Sequence, residues 1–274
     1  MINFTKKDEI FFRNNGYLIK QAEDLKNLNY LKKKVIELIV KKKPSLKSKL
    51  KIEKEEIFLN NFHKYIKKSE LNNIRLFVID IINKNKFFAE NYYSAGKKSL
   101  DFLVGNELAM QSKINLSIQT PNDHDSMLPM HSDIYAGESP FEANLWIPLV
   151  NVKADSRSMF ITSPKNNKKI NRLVKNTKNL TVLDIYKKNK KKFKFLKINF
   201  GEVLVFSPIM LHGNIVNKTK FTRFSLNCRF KSLLSPFDVF NKTHRNIPHF
   251  FKPLNIKPFT QIGFNFIKKI NEKK

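Results

Sequence analysis

Cysteine occurs once in this 274-residue chain, at Cys228, and glycine only seven times. A single thiol excludes an internal disulfide and fits a reducing cytoplasm. No Gly-rich phosphate loop, internal repeat or low-complexity linker is visible. Long apolar runs are also missing: VIELIV and LFVIDII are short and bracketed by charge, far from the roughly 18 residues that cross a bilayer. The opening MINFTKKDEIFF carries acidic residues where a signal peptide would have a continuous apolar stretch.

Acidic residues are scarce as well, 23 against 52 Lys and Arg, for a net charge of +29. Phosphate neutralisation on a nucleic acid is the obvious reading of such a balance. Two details weigh against it. Arginine, the residue of base readout and bidentate phosphate recognition, stands only at 13, 75, 157, 172, 223, 229 and 245. Lysine is spread from end to end, as in a solvated coat, and with abundant Asn, Ile and Phe it matches the bias of an AT-rich coding sequence. Specific nucleic-acid binding is therefore not expected; the basic surface can still attract an anionic small molecule.

Residues 1–110 read as mainly helical. Thr5 can cap a helix through Phe12, with Asn14-Asn15-Gly16 closing it, and a short strand YLIK follows. Leu25, Leu28, Leu31, Val35, Leu38 and Ile39 recur at helical spacing within 22–42, and Pro44 stops that helix. SELNNIRLFVIDIIN, with Ser69 as cap, and KFFAENYYSAG make two more helical stretches. From about residue 112 the pattern changes to SKINLSIQ, EANLWIPLV, SMFITS, LTVLDIY, KFKFLKINF, EVLVFSP and TRFSLNCRF. Each has strand length and is bounded by turn residues, as in a sandwich or barrel. In the last of these, Phe224, Leu226, Cys228 and Phe230 share one face and Arg223, Ser225, Asn227 and Arg229 the other. Either the polar face lies in water, or helices cover the apolar face and the arginines line an interior that holds an anion.

LPMHSDIYAGESPF puts His131 and Asp133 one residue apart, and GEVLVFSPIMLHGN places His212 at a strand end. Across an extended backbone, alternate side chains share a face, so His131 and Asp133 can turn to one metal. His-X-Asp with a distant His is the two-histidine, one-carboxylate set of non-haem iron(II) oxygenases, which leaves coordination positions open. Arg223, eleven residues beyond His212, and Ser225 can hold the distal carboxylate of 2-oxoglutarate. His-X-Asp alone is weak; the downstream His-Gly and Arg-X-Ser, in that order, raise it greatly.

The segments LPMHSDIYAGESPFEANLWIPLVNV, SMFITSP, GEVLVFSPIMLHGNIVNKT and TRFSLNCRFKSLLSP resemble the phytanoyl-CoA hydroxylase-like branch of iron(II)- and 2-oxoglutarate-dependent dioxygenases. More closely, they resemble bacterial members encoded among surface-carbohydrate biosynthesis genes. The resemblance covers about residues 112–236, with FFRNNGYLI also similar to the family's N-terminal start. It implies an α+β, mainly β fold: a double-stranded β-helix (jelly-roll, cupin-like) core with an N-terminal helical layer. A single domain over 1–274 is expected, helical over 1–110, with the iron-bearing core over 111–235 and an extension over 236–274. It implies iron(II) at His131, Asp133 and His212, and 2-oxoglutarate anchored by Arg223 and Ser225, with Trp146, Asn214 and, more weakly, Gln119 bordering it. Dioxygen would be the other co-substrate, with release of succinate and carbon dioxide and hydroxylation of a sugar, a nucleotide sugar or a similar small polar metabolite. Asp133 argues against halogenation, because related halogenases lack the carboxylate. The shorter loop between Asp133 and Trp146, and ADSRSMFIT in place of an Asn-Gly-Cys-type turn, depart from the phytanoyl enzymes.

Tyr135 and Glu138 fall where a substrate-facing loop would lie, or a plain solvent loop; Arg229 either completes a basic substrate pocket or pairs with a carboxylate. His63, His124, His244 and His249 are expected to be structural or loop residues. Two other classes stay open: a metal-binding jelly roll without 2-oxoglutarate turnover, and a basic nucleic-acid-binding protein, which steep salt dependence of binding to random DNA would favour.

Overall fold

The computed structural model describes residues 4–176, 180–235 and 250–271. Helix α1 (Lys6–Asn15) runs three residues past Phe12 and ends at Gly16, whose φ of 76° is the left-handed closure. Strand β1 (Tyr17–Gln21) follows, then α2 (Leu25–Lys42), capped by the Asp24 carboxylate, which accepts the Lys26 N–H at 2.7 Å. Pro44 opens a short 3-10 turn after α2. Next come α3 (Lys47–Ile52), α4 (Glu55–Asn60), α5 (Lys68–Lys84) and α6 (Lys86–Val104). Ser69 does not cap α5; it lies in the first turn, and the Glu70 carboxylate instead accepts the Lys67 N–H at 2.8 Å.

Strands β2 (Leu108–Gln111), β3 (Asn115–Gln119), β4 (Glu142–Pro148) and β5 (Phe160–Thr162) precede α7 (Pro164–Asn176) and α8 (Val182–Lys188). LTVLDIY is thus helical rather than the strand its β-branched content suggests. Thr181 and Asp184 form a reciprocal cap, Thr181 N–H to the Asp184 carboxylate at 3.1 Å and Asp184 N–H to the Thr181 hydroxyl at 3.2 Å. Ile185 and Tyr186 then bury against Phe160 and Phe193 in a small apolar cluster. The chain closes with β6 (Phe193–Phe195), β7 (Glu202–Phe206), β8 (His212–Gly213), β9 (Arg223–Ser232), β10 (Phe251–Asn255) and α9 (Pro258–Asn271). Among the described residues no helix is long and apolar enough to cross a membrane.

Two antiparallel sheets organise the molecule. The larger has the order β1-β7-β4-β9-β2-β10, with β3 also on β9; the smaller is β6-β5-β8. The large sheet therefore takes β1 from the helical first 110 residues and β10 from the 236–274 extension. One face of β9 (Phe224, Leu226, Cys228, Phe230) joins a continuous core with Leu28, Val35, Ile74, Val78 and Tyr92 of the helices. Helices cover that face, so the opposite face, with Arg223, Ser225 and Arg229, turns inward, and Arg223 is 3% exposed. A buried polar face must find partners, and those partners build the site.

The helical layer sits close. A Cβ on Gly96 of α6 would lie 2.7 Å from Leu145 Cδ1, and Leu145 is fully buried in β4. Gly96→Val should lower stability by about 1–3 kcal/mol through overpacking, read as a lower urea midpoint at unchanged m; an unchanged midpoint would show that Leu145 yields freely.

Candidate metal centre

His131 and His212 lie on facing segments that exchange backbone hydrogen bonds, each N–H to the other's carbonyl at 2.9 Å. The intervening Ser132 is extended (φ −120°, ψ 132°), as sharing of a face by residues 131 and 133 requires. Asp133 opens a 3-10 turn through Ala136 and anchors its N–H on the Pro208 carbonyl at 3.0 Å. The ring centroids of the two histidines are 4.3 Å apart, and Phe206 of the large sheet packs edge-on against His212.

Donor atoms of His131, Asp133 and His212 lie within 4.8 Å of one another. Each imidazole is tied by Nδ1 to a carbonyl two residues before it, His131 to Pro129 and His212 to Met210, both at 2.8 Å. Since a carbonyl can only accept, both Nδ1 atoms carry a proton, and the two Nε2 atoms face Asp133 Oδ1, at 3.5 and 3.9 Å. Burial, and to a lesser degree His131, pull His212 down to about 4 against the opposing pull of Asp133. Burial alone would raise the Asp133 carboxyl, but His131, His212 and Arg229 together hold it well below the usual carboxylate range. At neutral pH the arrangement is a carboxylate and a neutral His212, both ready donors to a divalent cation.

Along β9 and β3 the inward face carries a second group. The Arg223 guanidinium donates to the Arg157 carbonyl at 3.2 Å and to the Ser117 hydroxyl at 3.1 Å, and lies 5.9 Å from the centre of the Trp146 ring. No carboxylate pairs with it among the described residues, and Arg223 Nε, Ser225 Oγ and Gln119 Oε1 are buried without a hydrogen-bond partner. Burial and the nearby Arg157 pull Arg223 down to about 10, so it stays charged at neutral pH. Gln119 faces Arg223 across the β3–β9 ladder and donates to the Ile215 carbonyl at 2.7 Å. Asn214 braces the segment before His131, exchanging bonds with Leu128 at 2.7 and 2.8 Å.

Arg229 reaches Asp133 Oδ1 at 3.2 Å and Glu138 at 3.6 Å, the carboxylate pairing of the two readings. Glu138 is 2% exposed and so is no solvent-loop residue, whereas Tyr135 is 55% exposed. His124 is exposed, and His63 holds the Thr222 hydroxyl at 2.9 Å. His244 and His249 lie outside the described residues. Sequence reasoning missed Asn144, whose amide donates to Asp133 Oδ2 at 2.7 Å, and Ser117 and Arg157 beside Arg223. Period two offered a signal for Asn144 and Ser117, each two residues before an inward residue, Trp146 and Gln119. Arg157 sits in a turn and offered none. Glu142 and Lys231, opposite each other on β4 and β9, are also buried: burial, then Glu138, push the glutamate up to about 8, and burial pulls the lysine down to about 8.

Neither a protein-family model nor a curated protein matches the sequence. Solved structures of similar fold include apo EctD from S. alaskensis, 12% identical over 84% of this chain and 77% of that one, with TM-score 0.55. Apo HygX from Streptomyces hygroscopicus is 12% identical over 84% and 87% of the two chains, TM-score 0.52. Its iron-bound form is 11% identical over 85% and 88%, TM-score 0.51.

The titration of His212 has a measurable consequence. Its folded value of about 4 lies below the ordinary 6.5, so between those values the unfolded chain takes up a proton that the folded one refuses, and stability falls as pH drops through that window. Asp133 adds its loss only below the ordinary 3.8. Melting of chelator-treated protein from pH 7.5 to 4.5 should show a falling Tm that His212→Gln flattens; equal slopes would contradict the assignment.

Proposed function

We propose that the chain is a non-haem iron(II)- and 2-oxoglutarate-dependent oxygenase, one domain on a double-stranded β-helix, that hydroxylates a small polar metabolite. The observation that carries this reading is a set of three possible metal donors together with a buried guanidinium on β9 that pairs with no carboxylate among the described residues. His131 and His212 would hold iron through Nε2 and Asp133 through a carboxylate oxygen, a set that leaves positions for co-substrate and dioxygen. A buried cation needs an anion, and the unpartnered Arg223 Nε and Ser225 Oγ fit the distal carboxylate of a dicarboxylic co-substrate. Trp146 would wall that pocket and Gln119 border it. The similar structure HygX has been solved with iron bound and with nickel and 2-oxoglutarate bound, the latter at TM-score 0.50.

When bound, iron(II), 2-oxoglutarate and dioxygen supply oxidative decarboxylation to succinate and carbon dioxide and hydroxylation of an unactivated carbon. The chain's own part is positioning. His212 stays neutral at working pH, the buried Asp133 carboxylate stays charged, and Arg223 fixes the co-substrate's far end from a rigid strand. Asp133 occupies the ligand place that halogenases leave to a halide, so hydroxylation is the outcome. The matching segments LPMHSDIYAGESPF and GEVLVFSPIMLHGNIVNKT favour the phytanoyl-CoA hydroxylase-like branch and, within it, a sugar or nucleotide sugar of surface-carbohydrate synthesis in the cytoplasm. Tyr135 and Glu138 follow the ligands in sequence and are the substrate-side candidates.

Anaerobic addition of iron(II) and 2-oxoglutarate should produce the visible metal-to-ligand charge-transfer band, followed by succinate release on a sugar-nucleotide panel. Arg223→Ala should lose the band at low 2-oxoglutarate, and His212→Ala should lose iron binding. A wild type without the band would reject the co-substrate, an unaffected His212→Ala would reject the ligand set, and a halogenated product would reject hydroxylation.

A further inference from the structure

The metal-binding reading leaves unexplained why two side chains of the large sheet converge on Asp133. Asn144 and Arg229 stand directly opposite each other on β4 and β9, and each takes one oxygen of the same carboxylate. Asn144 Nδ2 donates to Oδ2 at 2.7 Å; Arg229 Nη2 lies 3.2 Å from Oδ1, the oxygen that faces both histidine Nε2 atoms. Asp133 itself belongs to a 3-10 turn and has no strand to fix it. The other arm of Arg229 reaches Glu138 at 3.6 Å and the Gln111 side-chain carbonyl at 3.3 Å.

We infer that Asn144 and Arg229 are positioning residues forming a two-point clamp on the metal-binding carboxylate, in which Arg229 is also a built-in cation competing with the metal for Oδ1. This rests on the metal reading above. Binding one oxygen of Asp133 requires the other to be held, which is the work of Asn144. A divalent ion arriving at Oδ1 shares that oxygen with a guanidinium whose Nη2 lies 3.2 Å from it; like charges drawn to one oxygen repel in a partly buried site. Glu138, on the far arm, offsets part of that repulsion and gives Arg229 somewhere to lean as the metal loads.

The two halves of the clamp therefore have opposite signs. Nickel(II), titrated alone into chelator-stripped full-length protein at pH 7.5 by calorimetry, is the probe, with melting curves to confirm folding. Asn144→Ala should weaken nickel binding by roughly 10–100-fold, the usual effect of losing an outer-shell partner. Arg229→Gln should tighten it by on the order of tenfold or more, because a positive charge leaves the ligand oxygen. Glu138→Gln should weaken it, and the double variant Arg229→Gln/Glu138→Gln should bind more tightly than Glu138→Gln alone. A purely structural role predicts weaker binding in every variant. Arg229→Gln that folds and binds nickel no tighter than wild type overturns the competition; should that variant fail to fold, a double variant no tighter than Glu138→Gln alone overturns it equally. Unchanged binding in Asn144→Ala overturns the clamp. A wild type that binds no nickel overturns the metal reading itself, and the clamp with it.

Discussion

A carboxylate removed from water persists as a charge only where cations and donors converge on it, and for Asp133 an arginine and an amide of the large sheet each reach one oxygen. Two imidazoles of the 131–212 bridge face the same carboxylate, and the residue's own N–H is held by the Pro208 carbonyl. Each partner comes from a different part of the chain, so the site exists only when both sheets are in place. The bridge between His131 and His212 joins the loop to the small sheet; Asn144 and Arg229 join it to the large one.

The same rule explains the arrangement around Arg223. Helices α5 and α6 pack on the apolar side of the large sheet, with α2 packed against both, which forces the polar residues of β9 inward. In that inward row Arg229 pairs with Asp133 and Glu138, and across the ladder on β3 Gln119 donates to the Ile215 carbonyl. Among the described residues Arg223 has a carbonyl and a hydroxyl as acceptors and no carboxylate, and Arg157 close by makes its position more costly. A protein seldom keeps such a group without a use for it. Within one strand, then, one arginine pairs with the chain's own carboxylate and another, among the described residues, pairs with none.

Much of this was legible beforehand, for physical reasons tied to particular residues. Alternation along 223–230 follows from the period of a strand whatever its surroundings. The helix over 25–42 follows from its apolar spacing and from Pro44 beyond it. What misled was local competition: LTVLDIY has strand composition, yet the Thr181–Asp184 cap and burial of Ile185 and Tyr186 make it helical. Ser69 had the right chemistry for a cap, but the Glu70 carboxylate satisfies the N–H that matters. Asn144 passed unnoticed because its importance lies wholly in what stands across from it.

The sequence by itself determined which residues have metal-ligand and anion-anchoring chemistry, and on which face of each strand they stand, since both depend only on side-chain type and backbone period. Tertiary structure decided which of two open readings held for β9: helices on its apolar side turned the polar side into an interior. It also decided that Glu138 is buried, that Arg229 shares Oδ1 of Asp133 and that Arg223 has no counter-ion among the described residues. Those outcomes depend on register between strands far apart in the chain, where a shift of one residue would turn every inward side chain outward.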